Sequence, residues 1–365
     1  MNWQQRRLII IPLAIMALLN STGCDNHQPE ERAKTQLEQA VEQTIDKVIV
    51  PAAIQFAEEA TQLNNVTANF CESTMQPAQL LIAQEQWKRT LNAWYRLSPF
   101  IFGPAINHPV FETWLYIDSY RKSHEDNRGK IQLDIKTMTS TVQAVTQEQI
   151  AQKGFSYVGL PALEVILFDS PSGNSTTSIA NEFKQQKNRC EILKGYSAEL
   201  SRRANIVSQG WTHNYRNTGQ SYRALLLGGQ LDIVLDDESG KEPATYLFDA
   251  LAQYYDYVNK RELSTNIAPL AGNFWEAYKH SLVSTKNALE GTKDTTVSFS
   301  DIMIASEGMS ELAALKNSLE IHEKAINTKD SALLKASAKN IDKNFKNEVA
   351  FTLGISVGIG FTDGD

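Results

Sequence analysis

Apolar residues recur at helical spacing along almost the whole chain after residue 34. Four stripes repeat every three or four residues, and each covers one face of a helix. The stripes are Leu37, Val41, Ile45, Val48, Ala52, Phe56; Phe183, Cys190, Leu193, Leu200, Ala204, Val207, Trp211; Leu270, Phe274, Tyr278, Leu282, Thr285, Leu289; and Leu334, Ala338, Ile341, Phe345, Val349. Strand-like alternation is nearly absent. The pattern predicts an all-α fold of antiparallel helices packed as bundles.

Six segments rich in Gly, Pro, Ser, Asn or Asp interrupt the stripes and predict turns. They are Cys71–Pro77, Pro99–Pro109, Ser123–Lys130, Ser170–Ser175, Asp236–Pro243 and Glu290–Val297. The stripe from Phe183 to Trp211 predicts one long helix that ends a first bundle. The predicted domains are therefore a bundle over residues 35–212 and a second over 213–365.

The amino terminus has the order of an export signal. Two arginines precede an apolar run from Leu8 to Leu19, and a short polar stretch leads to Cys24. The run has 12 residues, whereas a membrane-spanning helix needs about 20, so we expect residues 1–23 to be cleaved. Cys24 then resembles the lipidated cysteine of a bacterial lipoprotein; an ordinary signal with an incidental cysteine is the alternative. We expect residues 24–34 to form a polar, lipidated tether.

Charge narrows the choice of partners. The whole chain has a formal charge of −7, and loss of two arginines with the signal gives −9. Because an acidic surface repels phosphate backbones and no basic stripe is present, nucleic acid is not an expected partner. Cations suit this surface better. The expected location is the periplasmic side of the envelope, with the choice between inner and outer membrane left open.

Two cysteines remain in the mature chain, Cys71 and Cys190. An even count in an oxidising compartment favours a disulfide between them. Two buried thiols are the alternative.

Most enzyme signatures are missing: the sequence has no HExxH zinc motif, Walker loop, Rossmann glycine fingerprint, GxSxG elbow or CxxC pair. The informative stretch runs from Gly159 to Glu164. Pro161 suits a first helical turn, because it lacks an amide that would have no partner there. Glu164 is then expected in the first turn, where the helix dipole favours its charged form. It is either a cation ligand or a residue that only offsets the dipole.

A short internal match accompanies this stretch. Residues 163–169 read LEVILFD and residues 231–237 read LDIVLDD, with a glycine upstream of each. The match places Glu164 and Asp232 in equivalent positions of a duplicated unit; chance similarity of two buried helices is the alternative.

The same stretch resembles the imelysin-like family, which includes an insulin-cleaving membrane protease and iron-regulated periplasmic proteins and carries a GxHxxE motif. Gly159 and Glu164 match, but Pro161 stands in the histidine position. The wider similarity to the lipoprotein branch includes Trp87, Arg89, Trp94, Phe102-Gly103-Pro104, Gly354, Gly360 and the ending Asp363-Gly364-Asp365.

The resemblance implies two antiparallel four-helix-bundle halves with approximate two-fold pseudo-symmetry, a cleft where they meet, and a role in iron uptake. The leading hypothesis is a non-catalytic lipoprotein that binds iron, another divalent or trivalent metal, or a metal chelate, and that meets envelope iron-uptake proteins. Gly159, Pro161 and Glu164 would line the cleft, with Glu164 and Asp232 as metal contacts. The residues Trp87, Arg89 and Trp94 either line the same cleft or serve as core and surface residues.

Two alternatives remain. A metal-dependent peptidase needs a histidine other than the missing one, such as His108 or His213, beside Glu164. A scaffold or partner-binding lipoprotein needs no small ligand, and side chains would fill its cleft.

Overall fold

The computed structural model describes residues 34–106, 112–121, 127–141, 143–231 and 241–358. Every regular element in these ranges is helical, which confirms the all-α prediction. The α-helices are α1 (Gln36–Thr44), α2 (Val50–Glu72), α3 (Pro77–Leu97), α4 (Thr113–Ile117), α5 (Arg128–Ser140), α6 (Gln147–Ala151), α7 (Gly159–Phe168), α8 (Thr176–Gln185), α9 (Lys187–Thr212), α10 (Tyr222–Leu227), α11 (Pro243–Lys260), α12 (Leu263–Asn266), α13 (Phe274–Glu290), α14 (Phe299–Ala305), α15 (Met309–Thr328), α16 (Ser331–Asn344) and α17 (Ala350–Leu353). Short 3-10 turns cover Gly103–Ile106, Ser119–Arg121 and Phe155–Tyr157, and π turns cover Ile45–Ile49 and Phe345–Val349.

The predicted stripes form the core. Nearly all of their residues are buried; Leu37 and Leu270 are partly buried and pack against the core. The predicted turn between α2 and α3 is present, as are those near residues 170–175 and 291–298. The long helix predicted from Phe183 to Trp211 is in fact two helices, because Gln186 is extended. Phe183 and Cys190, on either side of this break, are both buried, so the apolar face continues across it.

Helices α2, α3 and α9 pack together, and α13 packs against α3. In the carboxyl-terminal part, α11 packs against α16, and α16 against α15. The residues from 34 onward form one compact unit by their contacts. A boundary at 212/213 and the two-fold relation between bundles stay predictions.

The first helix runs without a break from α1 through the π turn into α2, since the residues at both junctions are helical. Pro51 explains the π turn. Its ring conflicts with the carbonyl group four residues earlier and it has no amide, so the preceding turn widens. The α1 part contacts α11 and α14, whereas the α2 part packs on α3 and α9. This continuous helix therefore connects the amino-terminal helices to the carboxyl-terminal ones.

Cys71 and Cys190 form a disulfide with a Cα–Cα distance of 5.5 Å, which confirms that prediction. The bond joins the end of α2 to the first turn of α9, two helices that already pack along each other.

A buried histidine lies in the carboxyl-terminal core. The Nδ1 atom of His322 is 2.7 Å from the hydroxyl of Ser337, and its ring contacts Tyr255 and Tyr278 at 5.4 and 5.8 Å between centroids. Its Nε2 atom has no hydrogen-bond partner among the residues described. Burial lowers the pKa of His322 to about 3. The imidazole is therefore neutral throughout the physiological range.

Candidate functional site

The site is built around the start of α7. Gly159 has a φ of +78°, and a Cβ atom there would lie 2.4 Å from the carbonyl oxygen of Tyr116 and 2.5 Å from that of Ile117. Only glycine tolerates both the backbone conformation and the close approach. Pro161 is the third residue of the helix, within the first turn as predicted. Its lack of an amide costs no hydrogen bond there.

Glu164 lies in the second turn, not the first, because α7 begins at Gly159. Its side chain is fully buried. Its Oε1 atom accepts hydrogen bonds from the backbone amides of Leu270 and Ala271, both at 2.8 Å. Its Oε2 atom accepts one from the hydroxyl of Tyr120. The carboxylate is thus held by donors from two distant segments, instead of by the amides at the start of its own helix.

The loop before α13 supplies the two amides. Ala268 has a φ of +51° and Gly272 one of +65°, and the Gly272 amide donates to the Ala268 carbonyl oxygen at 2.9 Å. This tight turn points consecutive amides at one oxygen atom, an arrangement suited to an anion. A buried carboxylate from α7 occupies that position, so Glu164 ties α7 to the loop between α12 and α13.

Burial is the largest influence on the ionisation of Glu164, and it raises the pKa of that carboxyl. The hydrogen bonds from Tyr120 and the two amides oppose the rise, as does the positive charge of Arg128. Burial and the neighbouring Glu164 hold the pKa of Tyr120 well above its usual range. The phenol therefore stays protonated and serves as a donor.

Two tryptophans that the sequence analysis singled out, Trp87 and Trp94, hold the segments around Glu164 in place. The indole N–H of Trp87 donates to the Leu160 carbonyl oxygen at 3.2 Å, within the motif itself. That of Trp94 donates to Asp118 Oδ2 at 2.8 Å, two residues before Tyr120. Both tryptophan side chains are fully buried, so they are core residues that position the site. Arg89 is exposed, and the structure does not bring it to this group.

Of the two metal ligands predicted from sequence, Glu164 and Asp232, the structure describes only Glu164. Pro161 has no ligating atom, and both oxygens of Glu164 are engaged by protein donors. His213 is exposed, and its Nδ1 atom shares a hydrogen bond with the hydroxyl of the neighbouring Thr212. Across the described ranges, no group of three or more His, Cys, Asp and Glu side chains is placed to hold a metal ion. Asp232 and His108 lie outside those ranges, as does Cys24.

Sequence reasoning missed three of the groups that hold Glu164: the Tyr120 hydroxyl and the amides of Leu270 and Ala271. Pro269 and Gly272 do mark a turn. No local signal, however, links that turn to a glutamate more than a hundred residues earlier.

These features define an all-helical, disulfide-bonded protein in which a glycine-initiated helix carries a buried glutamate. The family model for imelysin matches residues 49–352. The chain belongs to the imelysin family.

Solved structures share the fold. An imelysin-like protein from Psychrobacter arcticum 273-4 is 18% identical with a TM-score of 0.62, and the match covers 90% of this chain and 99% of that one. An iron-regulated protein A precursor from Parabacteroides distasonis ATCC 8503 is 15% identical with a TM-score of 0.61, over 89% of this chain and 97% of that one. A comparison with curated proteins finds no match.

Proposed function

We propose that this chain is a non-catalytic binding protein of the imelysin family that serves the supply of iron or another metal in the bacterial envelope. The non-catalytic assignment rests on the two residues that this chain has at the histidine and glutamate positions of the GxHxxE motif. Pro161 replaces the histidine, and the remaining acidic residue, Glu164, is buried with both oxygens bound by protein donors.

A metallopeptidase places a metal in a site with protein ligands and one open position for water. Glu164 does not offer such a position, since coordination would break its bond to Tyr120 or to the two amides. In this proposal Glu164 holds the fold together and is not the metal contact. A metal ion or a metal chelate would be bound elsewhere on the acidic protein.

The link to iron comes from a structural relative, the iron-regulated protein A precursor. Placement in the envelope is supported by the export signal predicted from the sequence and by the Cys71–Cys190 disulfide, which suits an oxidising compartment. No helix in the described ranges is long and apolar enough to cross a bilayer. We propose anchoring through lipid on Cys24, with the membrane and envelope iron-uptake proteins as partners.

Calorimetric titration and a cleavage assay test this function. The lipid-free body is titrated with ferrous, ferric, cupric and zinc ions and with ferric citrate, and is incubated with an unstructured peptide with and without chelator. Wild type is compared with Glu164→Gln, and with Glu148→Gln as an exposed carboxylate control. We expect binding of at least one metal or chelate, equal in all three proteins, and no cleavage.

Chelator-sensitive cleavage that disappears in Glu164→Gln would overturn the non-catalytic assignment. Absence of binding to every ion and to ferric citrate would overturn the metal-supply role. For the anchor, we expect the mass of the mature amino terminus to show acyl chains on Cys24. A Cys24→Ser variant should leave the membrane fraction, and unchanged fractionation would contradict lipidation at this residue.

A further inference from the structure

A polar contact between three helices lies near the surface of the protein. Arg96 of α3 donates from its Nε–H to Nδ1 of His280 on α13 at 3.2 Å, and from Nη1 to Oε1 of Gln55 on α2 at 3.0 Å. All three residues are half-buried, and the side chain of His280 is 22% exposed, so protons from the solvent reach its ring. The contact therefore ties α13 to α2 and α3 through a group that titrates.

The donor pattern fixes the protonation state of the ring. A guanidinium carries N–H donors and no acceptor, so Nδ1 of His280 must be unprotonated to bond to Arg96. The single proton of the neutral imidazole is then on Nε2. That nitrogen faces Oε1 of Glu276, one helical turn earlier on α13, at 3.8 Å. The bond from Arg96 thus exists only while the ring is neutral.

The surroundings of His280 favour the neutral ring. Burial is the largest influence and lowers the pKa of His280 below its ordinary value of 6.5. The positive charge of Arg96 on α3 lowers the pKa further, as does that of Lys279 on α13, whereas Glu276 on α13 raises it. The side chain that faces this group from α2, Gln55, is uncharged. The bond is therefore complete above pH 6.5 and is lost as the pH falls through the lower value of the folded protein.

Helix α13 begins directly after the loop whose amides hold Glu164. Asn273, the last residue before the helix, donates from its side chain to Oδ1 of Asn92 on α3 at 2.8 Å, and this pair does not titrate. His280 lies about two turns further along α13, and Arg96 one turn further along α3, so both contacts belong to the same interface between these helices. A change at His280 therefore acts on the start of α13 and on the loop before it.

We propose that Arg96 and His280 form an acid-sensitive contact between α3 and α13. At neutral pH the ring accepts from Arg96 and ties the two helices together. In acid a proton from the solvent adds to Nδ1, which turns this acceptor into a donor, so the bond to Arg96 is lost and the imidazolium pairs with Glu276 on its own helix. Exchange of a bond between helices for an ion pair within one helix loosens the start of α13 and the loop that holds Glu164. This contact does not depend on the metal-supply function.

Nitrogen NMR of the histidine rings tests the ionisation of His280. We expect the tautomer with its proton on Nε2 in neutral solution, and titration below the ordinary pKa of 6.5. Arg96→Gln should raise the pKa of His280, because the facing positive charge is removed. Lys88→Gln is the control, since Lys88 lies two turns away on α3 and pairs with Glu85; it should leave the titration unchanged.

Hydrogen exchange tests the loosening. Wild type is compared with His280→Asn, whose side-chain oxygen accepts in place of Nδ1 but does not titrate, and with His213→Asn, which removes an exposed histidine bonded to Thr212. On acidification from about pH 7.5 to about pH 5, exchange of residues 268–282 should accelerate about tenfold more in wild type and in His213→Asn than in His280→Asn, after correction for intrinsic rates. Residues of α9 should respond alike in all three proteins.

Melting curves confirm that the variants fold, and His280→Gln replaces a His280→Asn protein that does not. The proposal is overturned if His280 titrates at or above its ordinary pKa, or if Arg96→Gln does not raise that pKa. It is also overturned if exchange at the start of α13 accelerates equally in wild type and in the His280 variant.

Discussion

The buried histidine in the carboxyl-terminal core should make the protein sensitive to mild acid. His322 has a pKa of about 3 in the folded protein against an ordinary value of 6.5 in the unfolded chain. The neutral form is thus favoured by folding, and its full contribution is present above pH 6.5. As pH falls from there towards 3, the unfolded chain binds a proton that the folded protein does not, and stability is lost.

The size of this loss follows from the two values. At about pH 5 the unfolded histidine is almost fully protonated and the folded one almost fully neutral, so the free energy of unfolding falls by about 2 kcal/mol. The physical cause is the desolvation of the ring among Tyr255, Tyr278 and Ser337. Among the described residues, no carboxylate influences the pKa of His322.

Urea unfolding of wild type and His322→Asn at about pH 7.5 and pH 5 measures the effect. The variant does not titrate here, and its amide still reaches towards Ser337. Other groups that respond to acid, including Glu164 and Asp342 with their raised pKa values, change both proteins alike. We expect the stability gap between the proteins to narrow by about 2 kcal/mol on acidification. If both proteins lose the same free energy of unfolding on acidification, His322 is not buried in its neutral form.

Three further predictions concern the start of α7, Glu164 and the Cys71–Cys190 disulfide. Gly159→Ala should lower the free energy of unfolding by about 3 kcal/mol or more. The control Gly219→Ala, at nearly the same φ but with open space around its Cβ position, should lower it by about 1 kcal/mol. Equal losses in urea unfolding would show that the close approach at Gly159 is unimportant. Glu164→Ala should lower the free energy of unfolding by about 3 kcal/mol or more, because the buried Tyr120 hydroxyl and two partly buried amides lose their acceptor. Glu164→Gln should cost about 1 kcal/mol, because its carbonyl oxygen still accepts from the amides; an alanine variant as stable as the glutamine variant would contradict this explanation. Replacing both Cys71 and Cys190 with serine should lower the free energy of unfolding by about 2–5 kcal/mol, since the bond closes a loop of 119 residues in sequence. A reducing agent should destabilise wild type alone, and a double variant that melts like oxidised wild type would contradict a stabilising role of the disulfide.

Periodicity predicted the helices and the core because burial of one helical face is a local property of the sequence. It predicted the stripes and most turns. It failed at Gln186, because Phe183 and Cys190 are buried on either side of this extended residue and their spacing does not reveal the break. It also failed to show that His322 is buried, because a lone histidine on an amphipathic helix has no neighbour in sequence that reports its tertiary surroundings.

The site was partly predictable. Gly159 and Pro161 act locally, through backbone conformation and a missing amide, so their place at the start of α7 could be predicted from the sequence. The partners of Glu164 were not predictable, since they come from Tyr120 and from a turn at Leu270 and Ala271 that only tertiary packing brings close.

The unbroken helix from Gln36 to Glu72 also constrains how the protein is made. Residues 36–44 find partners in α11 and α14, which leave the ribosome about two hundred residues later. During synthesis the apolar face of residues 36–44 therefore stays uncovered until residues 243–305 have emerged. Protection by a chaperone over that interval would benefit this segment most, and a chain cut short before α11 would leave the same face open to aggregation.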